Sequence, residues 1–262
     1  MNRTSSYRIV FFDIDGTLLN EEGRIPDSTR EAIRRLRDSG VEVVLATGRA
    51  PAHLAPVARD LGIDSYVSLT GTFAVYRGQV IHDRPLPPST VREVIAAGSE
   101  NGDPLVLLGK TEVFGTHADH PHVVETFLQW LKLEVPPPLP PGPPDFPVYQ
   151  FLLYTPAERV PQYEERFPEL NIIRWHPLSL DMIPREASKA SGVAAMLEHL
   201  GIPPEAAVAF GDALNDREML SYVGMGIAMG NAHESLKPYA RFVTDHIDND
   251  GVWRALKRIG MI

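Results

Sequence analysis

Tyr7-Arg8-Ile9-Val10-Phe11-Phe12-Asp13-Ile14-Asp15-Gly16-Thr17-Leu18-Leu19 is the stretch whose reading decides the rest of the chain. Its short apolar run predicts a buried strand that stops at two carboxylates, a glycine and a threonine. Residues two apart on a strand point the same way, so Asp13 and Asp15 converge on one spot at the strand's end. Converging carboxylates repel and resist desolvation, and a fold holds them only with compensation. A hard divalent cation provides it, and Mg²⁺ suits one or two carboxylates together with a substrate phosphate. Taken alone, the stretch also describes an acidic turn without chemistry, because Asp and Gly are ordinary turn residues.

Outward from this strand, Pro26-Asp27-Ser28-Thr29 opens a helix with Ala32, Ile33, Leu36 and Val41 on its apolar side, ended by Ser39-Gly40. Val41-Glu42-Val43-Val44-Leu45-Ala46 is a second buried strand, closing in Thr47-Gly48-Arg49. A helix through Leu54, Val57, Ala58 and Leu61 ends at Gly62, and Tyr66-Val67-Ser68-Leu69 is a third strand. This alternation predicts a parallel sheet wound with helices. From about Pro85 the pattern changes to a helix over 90–99, strands over 105–108 and 112–115, and a helix over 123–131. Eight prolines between 135 and 147 forbid helix or central strand and predict a stiff extended connection. With nothing basic flanking it closely, the run reads as a structural spacer rather than an SH3-type ligand. Strands over 148–154, 172–175 and 179–183 complete a mixed α+β segment. The wound pattern then resumes with a helix over 191–200, a strand over 206–210, a helix over 216–223 and short strands within 223–229 and 240–243. The expected architecture is an α/β core, residues 1–84 and 185–262, interrupted by an inserted α+β domain at 85–184.

Composition sets limits on function. A chain of 262 residues, 44% hydrophobic, can bury a full core. Its formal net charge of −9 argues against nucleic-acid and anionic-membrane partners, which need clustered Lys and Arg. The absence of cysteine excludes disulfides, thiolate zinc sites and a Cys nucleophile. No run approaches the roughly 18 apolar residues of a membrane span. The apolar run at Ile9–Phe12 is too short for a signal peptide, so a cytoplasmic protein is expected.

Four strand ends carry polar clusters: Asp13-Ile14-Asp15-Gly16-Thr17, Thr47-Gly48-Arg49, Thr70-Gly71-Thr72, and Gly211-Asp212-Ala213-Leu214-Asn215-Asp216. In open α/β sheets, sites form outside the carboxyl ends of strands, so the four clusters point to one site. There Asp13 can attack phosphorus as nucleophile, forming an acyl-phosphate. Asp15 can protonate the leaving alkoxide and then deprotonate the attacking water. Thr47 offers its hydroxyl and backbone N–H to phosphate oxygens at the start of a helix. Asp212 gives the metal a second carboxylate, and Lys189, just before a helix, can neutralise phosphoryl oxygens and restrain the nucleophile. Charge neutralisation and in-line positioning then supply the catalysis.

Asp13-Ile14-Asp15-Gly16-Thr17, Thr47, Lys189 and Gly211-Asp212 with Asn215-Asp216 resemble motifs one to four of the haloacid dehalogenase superfamily phosphatases. Their order, with about 100 residues between the third strand and Lys189, resembles the Cof-like subgroup with a type IIB cap. The resemblance implies a Rossmann-like, doubly wound parallel-sheet core, a cap at 85–184 that closes over the site, and Mg²⁺-dependent hydrolysis of phosphate esters. It implies Asp13, Asp15 (through its backbone carbonyl) and Asp212 as metal ligands, with Asn215 and Asp216 in or beside that set. It further implies Gly16, Thr47, Gly48, Arg49, Lys189 and Asn215 around the phosphate. One departure stands out: similar proteins usually carry Asn-Gly where this chain has Thr70-Gly71. Threonine keeps a hydroxyl but loses the amide donor, which puts any substrate contact there in doubt. Arg49 is open to two readings, reaching the substrate or pairing with a core acid.

Weaker candidates have plainer readings. His117, His120 and His122 match no defined zinc spacing and read as solvated surface, although one could touch a leaving group. Trp175, followed by His176 and Pro177, reads as packing. Gly224, Gly226 and Gly230 with Asn231 lack the context of a dinucleotide loop and read as a core strand and its exit loop. The expected function is therefore a Mg²⁺-dependent phosphatase of small phosphomonoesters, such as a sugar phosphate or cofactor-precursor phosphate, acting as monomer or homodimer. The competing functions are a phosphotransferase or phosphomutase on sugar phosphates, and a non-catalytic sugar-phosphate-binding protein. Lys110, Thr111, Glu112, His117 and Arg174 are candidates for leaving-group recognition.

Overall fold

The computed structural model describes residues 7–262. The first half of the chain runs β1 (Ile9–Phe12), α1 (Asp27–Asp38), β2 (Glu42–Ala46), α2 (Pro51–Leu61), β3 (Tyr66–Ser68), β4 (Phe73–Tyr76), β5 (Gln79–Asp83) and α3 (Pro88–Asn101). It continues with β6 (Leu105–Leu108), β7 (Val113–Gly115) and α4 (Pro121–Glu125), which a π-helical turn prolongs over Thr126–Trp130. The remainder is β8 (Gln150–Leu153), α5 (Val160–Arg166), β9 (Leu170–His176), β10 (Ser179–Pro184), α6 (Lys189–Leu200), β11 (Ala207–Gly211), α7 (Arg217–Tyr222), β12 (Met225–Ala228), β13 (Phe242–Val243) and α8 (Gly251–Arg258). Two compact units result. One runs to Gly48 and includes Ala55–His82 and Ser188–Ile262; the other comprises Arg49–Leu54 and Asp83–Ala187.

The first unit is built on an eight-stranded sheet in the order β13-β12-β11-β1-β2-β3-β4-β5. Strands β13 to β3 are parallel, as a continuous apolar strand such as β1, buried on both faces, requires. Four of its helices pack in two pairs, α1 with α8 and α6 with α7. Strands β4 and β5 lie outside the sequence reading: the chain reverses from β3 into β4 through residues 69–71 and from β4 into β5 through Arg77-Gly78, neither of them an Asn-Gly turn. Helix α8 also escaped the sequence reading, although Val252, Ala255 and Leu256 give it a buried stripe at helical spacing. Helix α6 begins at Lys189, two residues earlier than expected, because Ser188 and Ser191 cap it reciprocally.

The second unit is a five-stranded antiparallel sheet in the order β7-β6-β8-β10-β9. Leu105, Leu107, Phe151, Leu153, Leu180 and Met182 form one apolar sheet face, buried in a cluster with Val91 and Val94 of α3 and Tyr163 of α5. The proline-rich run adopts neither helix nor strand; it fastens to the edge strand β7, where Gly115 N donates to Pro137 O and accepts from Leu139 N through its carbonyl. Proline suits that place because a sheet edge leaves its missing N–H without a consequence. The expected α/β fold, a wound parallel sheet interrupted by an α+β unit, is the observed one. Among the described residues no helix is long and apolar enough to cross a membrane.

Candidate active site

Strands β1 and β11 lie side by side in parallel, with Phe12 opposite Phe210 and their rings stacked 5.0 Å apart. This register places Asp13 and Asp212 together just past the carboxyl ends of their strands, and Asp13 N still donates to Phe210 O at 3.1 Å. On the other flank of β1, Thr47 ends β2 and is buried, its N–H held by Val67 O. Helix α6 brings in Lys189 from the opposite end of the sequence. Its Nζ donates to Asp13 Oδ1 at 2.7 Å and to Asp216 Oδ1 at 2.6 Å, and only 1% of the residue is exposed. The approach depends on Gly71: a Cβ there would stand 1.8 Å from Ser188 O, so only glycine lets the 69–71 turn meet the start of α6 backbone to backbone.

Around Lys189 the carboxylates are themselves fixed. Asp216 Oδ2 accepts the N–H groups of Asp212 and Ala213, both at 3.0 Å, closing the loop after β11. Thr17 Oγ1 donates to Asp212 Oδ1 at 2.8 Å. Gly16 has φ +80°, and a Cβ on it would stand 2.2 Å from Asp212 Oδ2, so the Asp212 carboxylate rests directly on the glycine backbone.

Asp13, Asp212 and Asp216 can each present an oxygen within 4.8 Å of the others. Burial pushes the Asp13 carboxyl up to about 7 despite Lys189, with Asp216 and Asp15 adding to the rise. Asp212 is also raised well above the usual carboxylate range, by burial first and then by Asp13 and Asp216. Lys189 is raised, its two carboxylate partners outweighing the burial that opposes its charge. Three carboxylates thus face one ammonium, and a divalent cation would make up the difference. Asn215 Oδ1 is buried beside them without a hydrogen-bond partner. An all-oxygen donor set with an orphaned amide oxygen fits a hard cation such as Mg²⁺.

Asp13, Lys189, Asp212 and Asp216 are therefore brought together, with Asp216 rather than Asp15 supplying the third convergent carboxylate. Asp15 and Gly16 form the turn after β1, in which Gly16 N donates to Leu19 O. Gly48 ends the first segment of its unit, whereas Arg49 groups with the second, where its guanidinium donates to His53 O and Leu131 O. Thr70 is buried in left-handed backbone, φ 51° and ψ 37°. Asparagine tolerates that conformation better than a β-branched residue, so the departure to threonine carries a backbone cost. Of the leaving-group candidates, Lys110 pairs with Asp83, and Arg174 donates to Pro177 O. His120 caps α4 through Nδ1 and stacks edge-on against His122; the three histidines belong to no metal cluster found among the described residues. Sequence reasoning missed the part played by Thr17, although its place two residues after Asp15 was a usable signal. It also missed Asn231 and His233, whose partners lie too far along the chain for any local pattern.

The family model of the haloacid dehalogenase-like hydrolases matches residues 10–256. YkrA of Bacillus subtilis, a phosphatase by name, is 39% identical over 255 residues, covering 97% of this chain and 98% of YkrA. A crystal structure of a hypothetical protein from Geobacillus kaustophilus superimposes with a TM-score of 0.88 at 45% identity, covering 98% of this chain and 100% of that one. The HAD subclass IIB sugar phosphatase BT4131 superimposes with a TM-score of 0.87 at 30% identity, over 97% of this chain and 100% of its own.

Proposed function

The chain belongs to the haloacid dehalogenase-like hydrolases and acts on phosphate esters, and from that premise we propose a Mg²⁺-dependent phosphatase of small phosphomonoesters that works through an aspartyl-phosphate on Asp13. One observation carries the proposal: a buried Lys189 holds Asp13 while Asp13, Asp212 and Asp216 converge within 4.8 Å. A nucleophilic carboxylate must be restrained and partly neutralised before it meets an anionic phosphoryl group, and this arrangement meets that need. The similarity to a sugar phosphatase supports a sugar phosphate, or a cofactor precursor of like chemistry, as the substrate class.

In this reading Asp13 attacks phosphorus in line, the P–O bond to the leaving group breaks, and Asp15 gives its proton to the departing alkoxide. Asp15 then takes a proton from the water that attacks the acyl-phosphate, which releases phosphate and restores the Asp13 carboxylate. Asp13 and Asp212, with the Asp15 main-chain carbonyl, would hold Mg²⁺, and Asn215 and Asp216 would stand beside it. When bound, the ion supplies neutralisation of carboxylate and phosphoryl charge. Lys189, Thr47 and the backbone at Gly16 and Gly48 would receive phosphate oxygens, with Arg49 and Asn215 as further contacts. Residues 85–184 would act as the cap and carry leaving-group specificity. Phosphate release from p-nitrophenyl phosphate tests the reading: release should require Mg²⁺, stop with EDTA and vanish in Asp13→Asn. Metal-independent release, or an active Asp13→Asn, would overturn it.

A further inference from the structure

Asn231 lies on the loop leaving β12, outside the four strand-end clusters assigned a role above. Its side chain nevertheless reaches the centre of the site. Asn231 Nδ2 donates to Gly16 O at 2.7 Å, and its Oδ1 accepts from Ile247 N at 3.0 Å. Both ends of the amide are thus used, and its orientation is set by one donor and one acceptor of fixed kind. The same loop makes a second attachment, because His233 N donates to Asp212 O at 2.9 Å.

Gly16 is where this attachment matters. A glycine at φ +80° has no side chain to hold its peptide plane, so hydrogen bonds alone orient it. Gly16 N–H is held by Leu19 O within the same turn, whereas Gly16 C=O is held by Asn231 from outside it. The carbonyl belongs to the Gly16–Thr17 peptide, which links two supports of Asp212: the glycine backbone against which Oδ2 packs and the Thr17 hydroxyl bonded to Oδ1. Rotating that peptide would move both supports together.

We infer that Asn231 is a positioning residue, which orients Asp212 and the Asp15–Gly16 turn for cation binding by clamping the Gly16 carbonyl. The inference rests on the reading of Asp13, Asp15 and Asp212 as Mg²⁺ ligands. Asn231→Asp isolates it: the acceptor for Ile247 N survives, while the donor to Gly16 O becomes an oxygen that repels the carbonyl. Outer partners of metal ligands commonly contribute about 10–100-fold to affinity or activity. The Mg²⁺ concentration giving half-maximal thermal stabilisation should therefore rise about tenfold or more in Asn231→Asp. kcat should fall with little change in KM, and amide exchange at Gly16 and Thr17 of the metal-free protein should quicken. Asp248→Ala severs the exposed bond from Asn20, on the loop after β1, to Asp248, on the segment after β13, without touching Gly16, and should match wild type in all three readouts. Should Asn231→Asp not fold, Asn231→Ser, too short to reach both partners, should show the same rise in Mg²⁺ midpoint. A midpoint and exchange rate within twofold of wild type in a folded variant overturns the inference. Failure of wild-type protein to be stabilised by Mg²⁺ or to release phosphate overturns instead the reading on which it rests.

Discussion

Replacing Lys189 by methionine keeps most of the apolar stem and removes the ammonium that two buried carboxylates share. The two contacts are 2.7 Å to Asp13 and 2.6 Å to Asp216, with side-chain exposures of 1% for Lys189, 6% for Asp13 and 0% for Asp216. Deleting one partner of a buried ion pair costs about 3–5 kcal/mol, because the remaining charge stays desolvated. That range should hold at pH 8 in EDTA. Asp13 titrates at about 7 in the folded protein, far above an unfolded aspartate near 3.9, so the folded state retains a proton that the unfolded state has released. Stability from this group is therefore lost as pH rises between about 4 and 7, and the window extends upward once Lys189 is gone. At pH 5.5 Asp13 is protonated with or without Lys189, only the Asp216 pair is missed, and the loss should shrink by at least about 1 kcal/mol. Urea unfolding read through Trp253 measures it, in a background carrying Trp130→Phe and Trp175→Phe. Trp253 reports on the unit that holds Lys189, lying between Arg35 and Lys257. A loss below about 1 kcal/mol, or one equal at both pH values, would refute the electrostatic account.

Three further outcomes follow from the same geometry. Asp15→Asn should lower turnover about 100-fold or more while leaving Asp13 able to react, so phospho-enzyme should accumulate and be visible by intact mass; a fully active variant denies Asp15 its proton-transfer role. Mg²⁺ should bind about tenfold more weakly at pH 6 than at pH 8, because Asp13 and Asp212 must lose their protons first, and calorimetry with an Asp13→Asn control reads that difference. Thr70→Asn should relieve left-handed strain worth about 1 kcal/mol and raise the melting temperature by about 2–4 °C; a lower melting temperature would mean that the threonine's contacts outweigh its backbone cost.

Much of the molecule was readable from local pattern. Buried parallel strands announce themselves as unbroken apolar runs, helices by their stripes and stops, and strand ends by the polar clusters that close them. Asp13, Thr47, Lys189 and Asp212 could be nominated on those grounds, since each follows or precedes an element whose period is visible in a few residues. The β3–β4 reversal was not visible, because its turn depends on Leu69 and Thr70 accepting positive φ against their own preference. Asp216 was expected beside the metal, but nothing local revealed that it grips both Lys189 and the two amides of its own loop.

What the sequence determined by itself is the set of elements and the chemistry stationed at their ends, because short-range periodicity and residue type suffice for both. Which of those ends meet is a matter of tertiary structure. The strand order sets β1 between β11 and β2, and only that pairing brings Asp13 beside Asp212 and leaves Lys189 between Asp13 and Asp216. The Gly16–Asn231 clamp likewise exists only once the loops after β1 and β12 are folded against each other. Hydrogen bonds and ion pairs between residues so distant leave no periodic trace, since their partners are chosen by sheet order and register rather than by neighbours in the chain.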